Sequence, residues 1–204
     1  MLEIFNLIAS EPYGSNCYLL ASDGEYAVID PSADYNRALQ MYPEILGKIK
    51  YVFITHTHFD HMLKIEQWAE NSDTVIVGAD DAQGLSDSIK NCYLGFLGVD
   101  CGYHGAYKTV CDGDCLKLGD ELIQVIGCPG HTPGGVSYKI GDKIFCGDTV
   151  FAQGGYGRCD LPGGNIDTLE KTLIKLVTHM PENAVFYPGH GGTTTLQEMI
   201  YYFA

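Results

Sequence analysis

Between residues 55 and 61 the chain reads Thr-His-Thr-His-Phe-Asp-His, so three of its seven histidines and one carboxylate fall within six positions. Neutral imidazole and carboxylate are donors for Zn²⁺, Fe²⁺ or Mn²⁺. The run before them, Tyr51-Val52-Phe53-Ile54, is apolar, β-branched or aromatic, and predicts a buried strand ending at the polar cluster. Side chains alternate along an extended segment, so His56 and His58 point the same way. If the chain then turns into a helix at Met62, Asp60 and His61 face the same space from the other side.

Three later positions extend the donor set. His131 sits in Cys128-Pro129-Gly130-His131-Thr132-Pro133-Gly134, Asp148 follows Ile144-Phe145-Cys146-Gly147, and His190 follows Val185-Phe186-Tyr187-Pro188-Gly189. Each comes just after a predicted strand and directly after a glycine, which lets backbone approach a site closely. Together with His56, His58, Asp60 and His61 they make five histidines and two aspartates at strand ends. Two four-to-five-coordinate metals sharing a bridging carboxylate need that number of donors. The other two histidines, His104 and His179, read as structural or surface residues.

The elements that must position these donors follow from apolar patterning. Strands are expected at 2–8, 17–21, 26–29, 51–54, 74–77, 116–118, 121–126, 136–140, 143–146 and 184–187. Helices are expected at 33–46, 62–70, 79–90 and 166–179, with a closing helix from Thr193. Residues 91–113 scatter Tyr93, Phe96, Tyr103 and Tyr107 among Gly and Cys without a period and read as an irregular insertion. Hairpin turns dominate, as at Ser22-Asp23-Gly24-Glu25. A doubly wound parallel sheet does not fit. The expected class is α+β: an αββα sandwich of two mixed sheets with helices on the outer faces, in one domain spanning 1–204.

Composition sets the setting. A formal net charge of −14 argues against a nucleic-acid partner, which needs a basic face. No apolar stretch reaches membrane-spanning length. The opening residues lack the basic segment of a signal peptide, so a cytoplasmic location is expected. None of the eight cysteines forms a C-x-x-C pair, and free thiols in a reducing compartment are the expectation. Cys92, Cys101, Cys111 and Cys115 share one segment and offer, at irregular spacing, the alternative of a second, structural metal. Oligomeric state is left open.

The motifs HTHFDH, PGHTPGG, GDTVF and YPGHGGTT occur in this order. In that combination the chain resembles the metallo-β-lactamase superfamily, and within it the short form of the glyoxalase II-like (hydroxyacylglutathione hydrolase-like) branch. The resemblance runs from about residue 2 to 200 and is weak over 91–113. It implies that His56, His58 and His131 hold one metal and Asp60, His61 and His190 a second, with Asp148 and a water or hydroxide bridging them. Zn is the first choice, Fe or Mn the alternatives. Asp148 and Asp60 are then the catalytic carboxylates, Asp60 also orienting the nucleophile. Asp30, at an earlier strand end, becomes a partner fixing the histidine loop. The loop Gly154-Gly155-Tyr156-Gly157-Arg158-Cys159-Asp160 is similar to a G-R-x-D loop of short family members but one residue longer. Tyr156 and Arg158 are therefore candidate substrate contacts, with an Arg158–Asp160 surface ion pair as the alternative. Glyoxalase II proper carries an additional C-terminal helical region that contributes to glutathione binding, and no counterpart is seen before Ala204.

The function this implies is hydrolysis of a small-molecule acyl thioester by a metal-bridging hydroxide. The alternatives are an iron-dependent persulfide dioxygenase, a lactone hydrolase, and a non-catalytic metal-binding protein.

Overall fold

The computed structural model describes residues 1–203. Its strands form two six-stranded mixed sheets. The first is ordered β1 (Glu3–Leu7), β2 (Cys17–Ser22), β3 (Glu25–Ile29), β4 (Ile49–Ile54), β5 (Ser72–Gly78) and β6 (Tyr107–Val110). β1–β3 pair antiparallel and β3–β6 parallel. The second is ordered β12 (Thr194–Thr195), β11 (Val185–Pro188), β10 (Lys143–Gly147), β9 (Val136–Ile140), β8 (Glu121–Gly127) and β7 (Cys115–Leu118). Only β10 and β11 pair parallel within it.

Period-two alternation of wholly apolar strands produces three cores. Val28, Val52, Ile54, Val75 and Val77 pack with Tyr35, Ala38, Ile65 and Trp68 of the helices outside the first sheet. Their neighbours Ile29, Phe53 and Ile76 turn inward to meet Val125, Tyr138 and Phe145 between the sheets. On the second sheet Ile144 and Cys146 face out against Leu169, Leu173 and Leu176. Strands buried on both faces carry no polar alternation, and the αββα layering is the arrangement that covers them all.

Several elements differ from the sequence expectation. The first helix, α1, spans Tyr35–Met41 rather than 33–46 and is capped by Asp34, whose side chain accepts from the Arg37 N–H. Pro43 disfavours helical geometry at Tyr42, and a 3₁₀ turn over Pro43–Ile45 follows. α2 spans only Ile65–Ala69, because the preceding residues Phe59–His61 form a 3₁₀ turn. Residues 79–90 do not make an α-helix: a 3₁₀ segment over Ala79–Leu85 ends there. Asp87 captures the Ile89 and Lys90 N–H groups, a local alternative to helix hydrogen bonds. Residues 91–113 are more regular than expected, containing α3 (Tyr93–Leu97) and β6. α4 (Ile166–His179) and α5 (Leu196–Phe203) cover the second sheet.

Candidate metal centre

All seven predicted donors lie at the ends of β4, β8, β10 and β11, and the two sheets bring them together. His56, His58 and His131 form one group and Asp60, His61 and His190 another, and His56, His61 and Asp148 form a third that links them. His131 Nε2 lies 2.9 Å from His58 Nδ1 and 3.2 Å from His56 Nε2. Asp60 Oδ2 lies 3.0 Å from His190 Nε2 and 3.8 Å from His61 Nε2. Asp148 touches both groups: Oδ1 is 3.2 Å from His61 Nε2, while Oδ2 is 3.8 Å from His131 Nε2 and 3.6 Å from His190 Nε2.

Fixed partners select the tautomers. The His131 Nδ1–H donates to the Arg158 carbonyl at 2.6 Å and leaves Nε2 a bare lone pair. The His61 Nδ1–H donates to Asp30 Oδ2 at 2.8 Å and turns Nε2 toward Asp148. Lone pairs therefore face one another across about 3 Å. Within the cluster His61 Nε2 and Asp148 Oδ1 are buried without hydrogen-bond partners. Buried polar atoms are normally paired, and converging lone pairs are stabilised by a cation between them. This donor set fits two divalent ions: His56, His58 and His131 would hold one and Asp60, His61 and His190 the other, with Asp148 available to both.

Protonation in the metal-free chain agrees. Burial, reinforced by the surrounding imidazoles, pushes His56 well below the usual histidine range and His58 down to about 3, so both are neutral donors. Burial opposes ionisation of Asp148 and Asp60, yet the neighbouring histidines, His61 foremost, hold both carboxyls below their ordinary range. His61 is likewise disfavoured as a cation by burial, but Asp30, Asp148 and Asp60 raise it well above the usual value.

The loops are held by groups reaching across the fold. Asp30, at φ +52°, accepts from the Thr55 N–H (2.8 Å), the Thr55 hydroxyl (2.7 Å) and His61. Two more anchors were not singled out from sequence. Asp81, just beyond β5, accepts from the Thr132 hydroxyl at 2.7 Å and the Gly134 N–H at 2.6 Å, while its carbonyl accepts from Thr57. It thereby joins the His56/His58 loop to the His131 loop. Asn16 donates to the Pro188 and Gly191 carbonyls, both at 2.9 Å, and fixes the His190 loop. The signal for Asp81 was weaker than for Asp30 and Asp148, which directly follow their strands: Asp81 stands three residues past the end of β5, beside Asp80. Two glycines are required: a Cβ on Gly189 would collide with Asp148 and His61, and Gly147 adopts φ +50° against Thr55.

The donors open into a cavity of about 480 Å³ that Tyr156 and Arg158 also line. The Arg158 guanidinium is engaged by Asp160 through two contacts of 2.6 Å, which is the ion-pair alternative. All eight cysteines are free. Among the described residues no group of three or more metal-type side chains includes one, so Cys92, Cys101, Cys111 and Cys115 do not form a second metal site.

Residues 10–190 match the family model described as the metallo-beta-lactamase superfamily. The chain belongs to that superfamily. As a superfamily member it is a metallo-hydrolase built on a fold that binds divalent metals. It is 31% identical to a probable metallo-hydrolase, YqgX, of Bacillus subtilis, over 90% of this chain and 88% of that one. It is 27% identical to the hydroxyacylglutathione hydrolase GloC of Haemophilus influenzae, over 93% and 92%. Among solved superfamily structures it resembles the BLEG-1 B3 metallo-beta-lactamase, with a TM-score of 0.86, 25% identity and coverage of 98% and 97%. It also resembles TTHA1623 in a di-iron-bound form, with a TM-score of 0.82, 26% identity and coverage of 97% and 98%. Among the described residues no helix is long and apolar enough to cross a membrane.

Proposed function

We propose that this protein is a binuclear metal-dependent hydrolase of small acyl thioesters. The observation that carries the reading is Asp148, whose Oδ2 lies 3.8 Å from His131 and 3.6 Å from His190 while Oδ1 lies 3.2 Å from His61, so that one carboxylate reaches both donor groups. When bound, a pair of divalent cations supplies carbonyl polarisation and an activated water of pKa about 7. Zn suits the mixed imidazole and carboxylate donors, as do Fe and Mn. Similarity to a di-iron-bound protein supports iron, and similarity to a hydroxyacylglutathione hydrolase supports the thioester.

Within the chain, Asp148 and Asp60 hold the site together, and Asp60 is placed beside His190 to orient an incoming water. Asp30 and the Arg158 carbonyl keep the protons of His61 and His131 on Nδ1, so their Nε2 atoms remain donors. Tyr156 offers the bound substrate a ring face at the cavity wall. Water adds across the acyl–sulfur bond: the carbon–sulfur bond breaks, a carbon–oxygen bond forms, and carboxylate, thiol and one proton leave. Eight free thiols favour a reducing, cytoplasmic setting, and the reading treats residues 1–204 as one domain.

The test is elemental analysis of protein purified without added metal, paired with an anaerobic thioester panel that includes S-D-lactoylglutathione. About two ions per chain and thioester cleavage are expected. Oxygen uptake with glutathione persulfide instead selects the dioxygenase alternative. Turnover confined to a lactone or a β-lactam selects those ester or amide substrates.

A further inference from the structure

We infer that the substrate's acyl group is apolar and that its thiol carries no carboxylates; this rests on the thioester reading above and narrows it. Two sets of apolar side chains share the cavity with the metal donors. One is a run of rings, Tyr13 to Phe59 at 5.8 Å and Phe59 to Phe96 at 5.7 Å, brought together by the β1–β2 loop, the donor loop and α3. The other is Phe151, 6.2 Å from the His190 ring, with Tyr156 and Leu161. Phe96, Tyr156 and Tyr13 are 53%, 47% and 45% exposed. Aromatic surface left in water beside a polar floor is the feature of a site that takes an apolar group.

Charge at the cavity points the same way. Among the described lining residues Arg158 is the one Lys or Arg side chain, and its Nε–Nη2 edge is taken by Asp160. The pair is neutral overall, on a chain of net charge −14. A glutathione thioester places two carboxylates at a distance from its reacting carbonyl, and this cavity offers them no Lys or Arg other than Arg158, whose charge is balanced by Asp160. An acyl chain gains from burial against the rings at every added methylene, whatever the charge of the protein.

The test uses metal-loaded protein and N-acetylcysteamine thioesters with acyl chains of about two to eight carbons, each compared with the same acyl group on glutathione. Expected is a rise in kcat/KM of roughly fourfold per added methylene, carried mainly by KM, until the cavity is filled. The neutral thiol is preferred over glutathione by about tenfold or more. Phe96→Ala flattens the chain-length series. Asp160→Asn frees the guanidinium and raises the ratio of glutathione to neutral-thiol turnover several-fold. Calorimetry on the metal-free chain gives a reading independent of turnover, with an S-octyl thioether binding more tightly than its S-ethyl counterpart. A flat or falling series, or a wild-type preference for glutathione, overturns the inference while the hydrolase reading stands. No turnover of any thioester at full metal occupancy overturns both.

Discussion

The two donor groups are built differently although Asp148 joins them. His56, His58 and His131 are 3%, 4% and 5% exposed and drawn from both sheets. Their loops are locked together by Asp81. In the other group the His190 side chain is 40% exposed and Asp60 17%, and a carboxylate supplies charge. The first group is the more buried, although His58 and His131 line the cavity as Asp60 and His190 do. The second is more open at His190, where a ligand can exchange, while its His61 is wholly buried. Closure and anchoring favour retention of an ion, and exposure favours reaction at it.

Removing the shared carboxylate should erase the contrast. Asp148→Ala is expected to lower thioester turnover by roughly a thousandfold or more, because polarisation and water activation contribute several kcal/mol. Elemental analysis should show both ions depleted with the circular dichroism spectrum retained. His190→Ala should strip the open group selectively and leave close to one ion per chain. If it empties both groups equally, the distinction between buried and open group is wrong.

Asp81→Asn attacks the buried group without touching a donor. Partners that orient ligands typically matter by about 10–100-fold in metal affinity, and a loss of that size is expected at the first group alone. Competition with a chelator of known affinity measures it. Equal weakening of both groups would mean that Asp81 stabilises the sheets in general rather than the His131 loop.

The metal-free protein should be most stable near pH 6.5. Below that value the unfolded chain protonates its histidines, while folded His56 and His58 resist, the latter down to about 3, so stability falls as pH falls. The His61 shift has the opposite sign: its contribution is complete below 6.5 and is lost as pH rises through its raised folded value. Thermal unfolding of chelated protein from about pH 4 to 9 should give this two-sided profile. Metal loading should replace its acid limb with proton-driven metal release. The smallest effect belongs to the exposed thiols. Cys101→Ser and Cys111→Ser should change stability by less than about 0.5 kcal/mol and leave metal content unaltered.

Much of the site was legible in the sequence because its chemistry is local. His56 and His58 follow one strand and obey its period, and His131, Asp148 and His190 each carry the same strand-then-glycine mark. The layered fold was legible for a related reason, since hairpin turns and doubly apolar strands restrict the packings that bury every face. The Asp23-Gly24 turn, with both residues at positive φ, is one such signal. The helix limits were misjudged where side chains compete with the backbone, as Asp87 does at 79–90.

The sequence by itself determined which atoms can bind metal, because donor type and strand-end placement are properties of short segments. Tertiary structure alone decided which donors come together and what holds them. Asp81 meets Thr132 across 51 positions, and Asn16 meets Pro188 across 172. It also decided that Phe96, from a stretch without periodicity, would stand beside Phe59 at the cavity mouth. Contacts between distant segments leave no local pattern, since their energy is realised only when the two sheets close on each other.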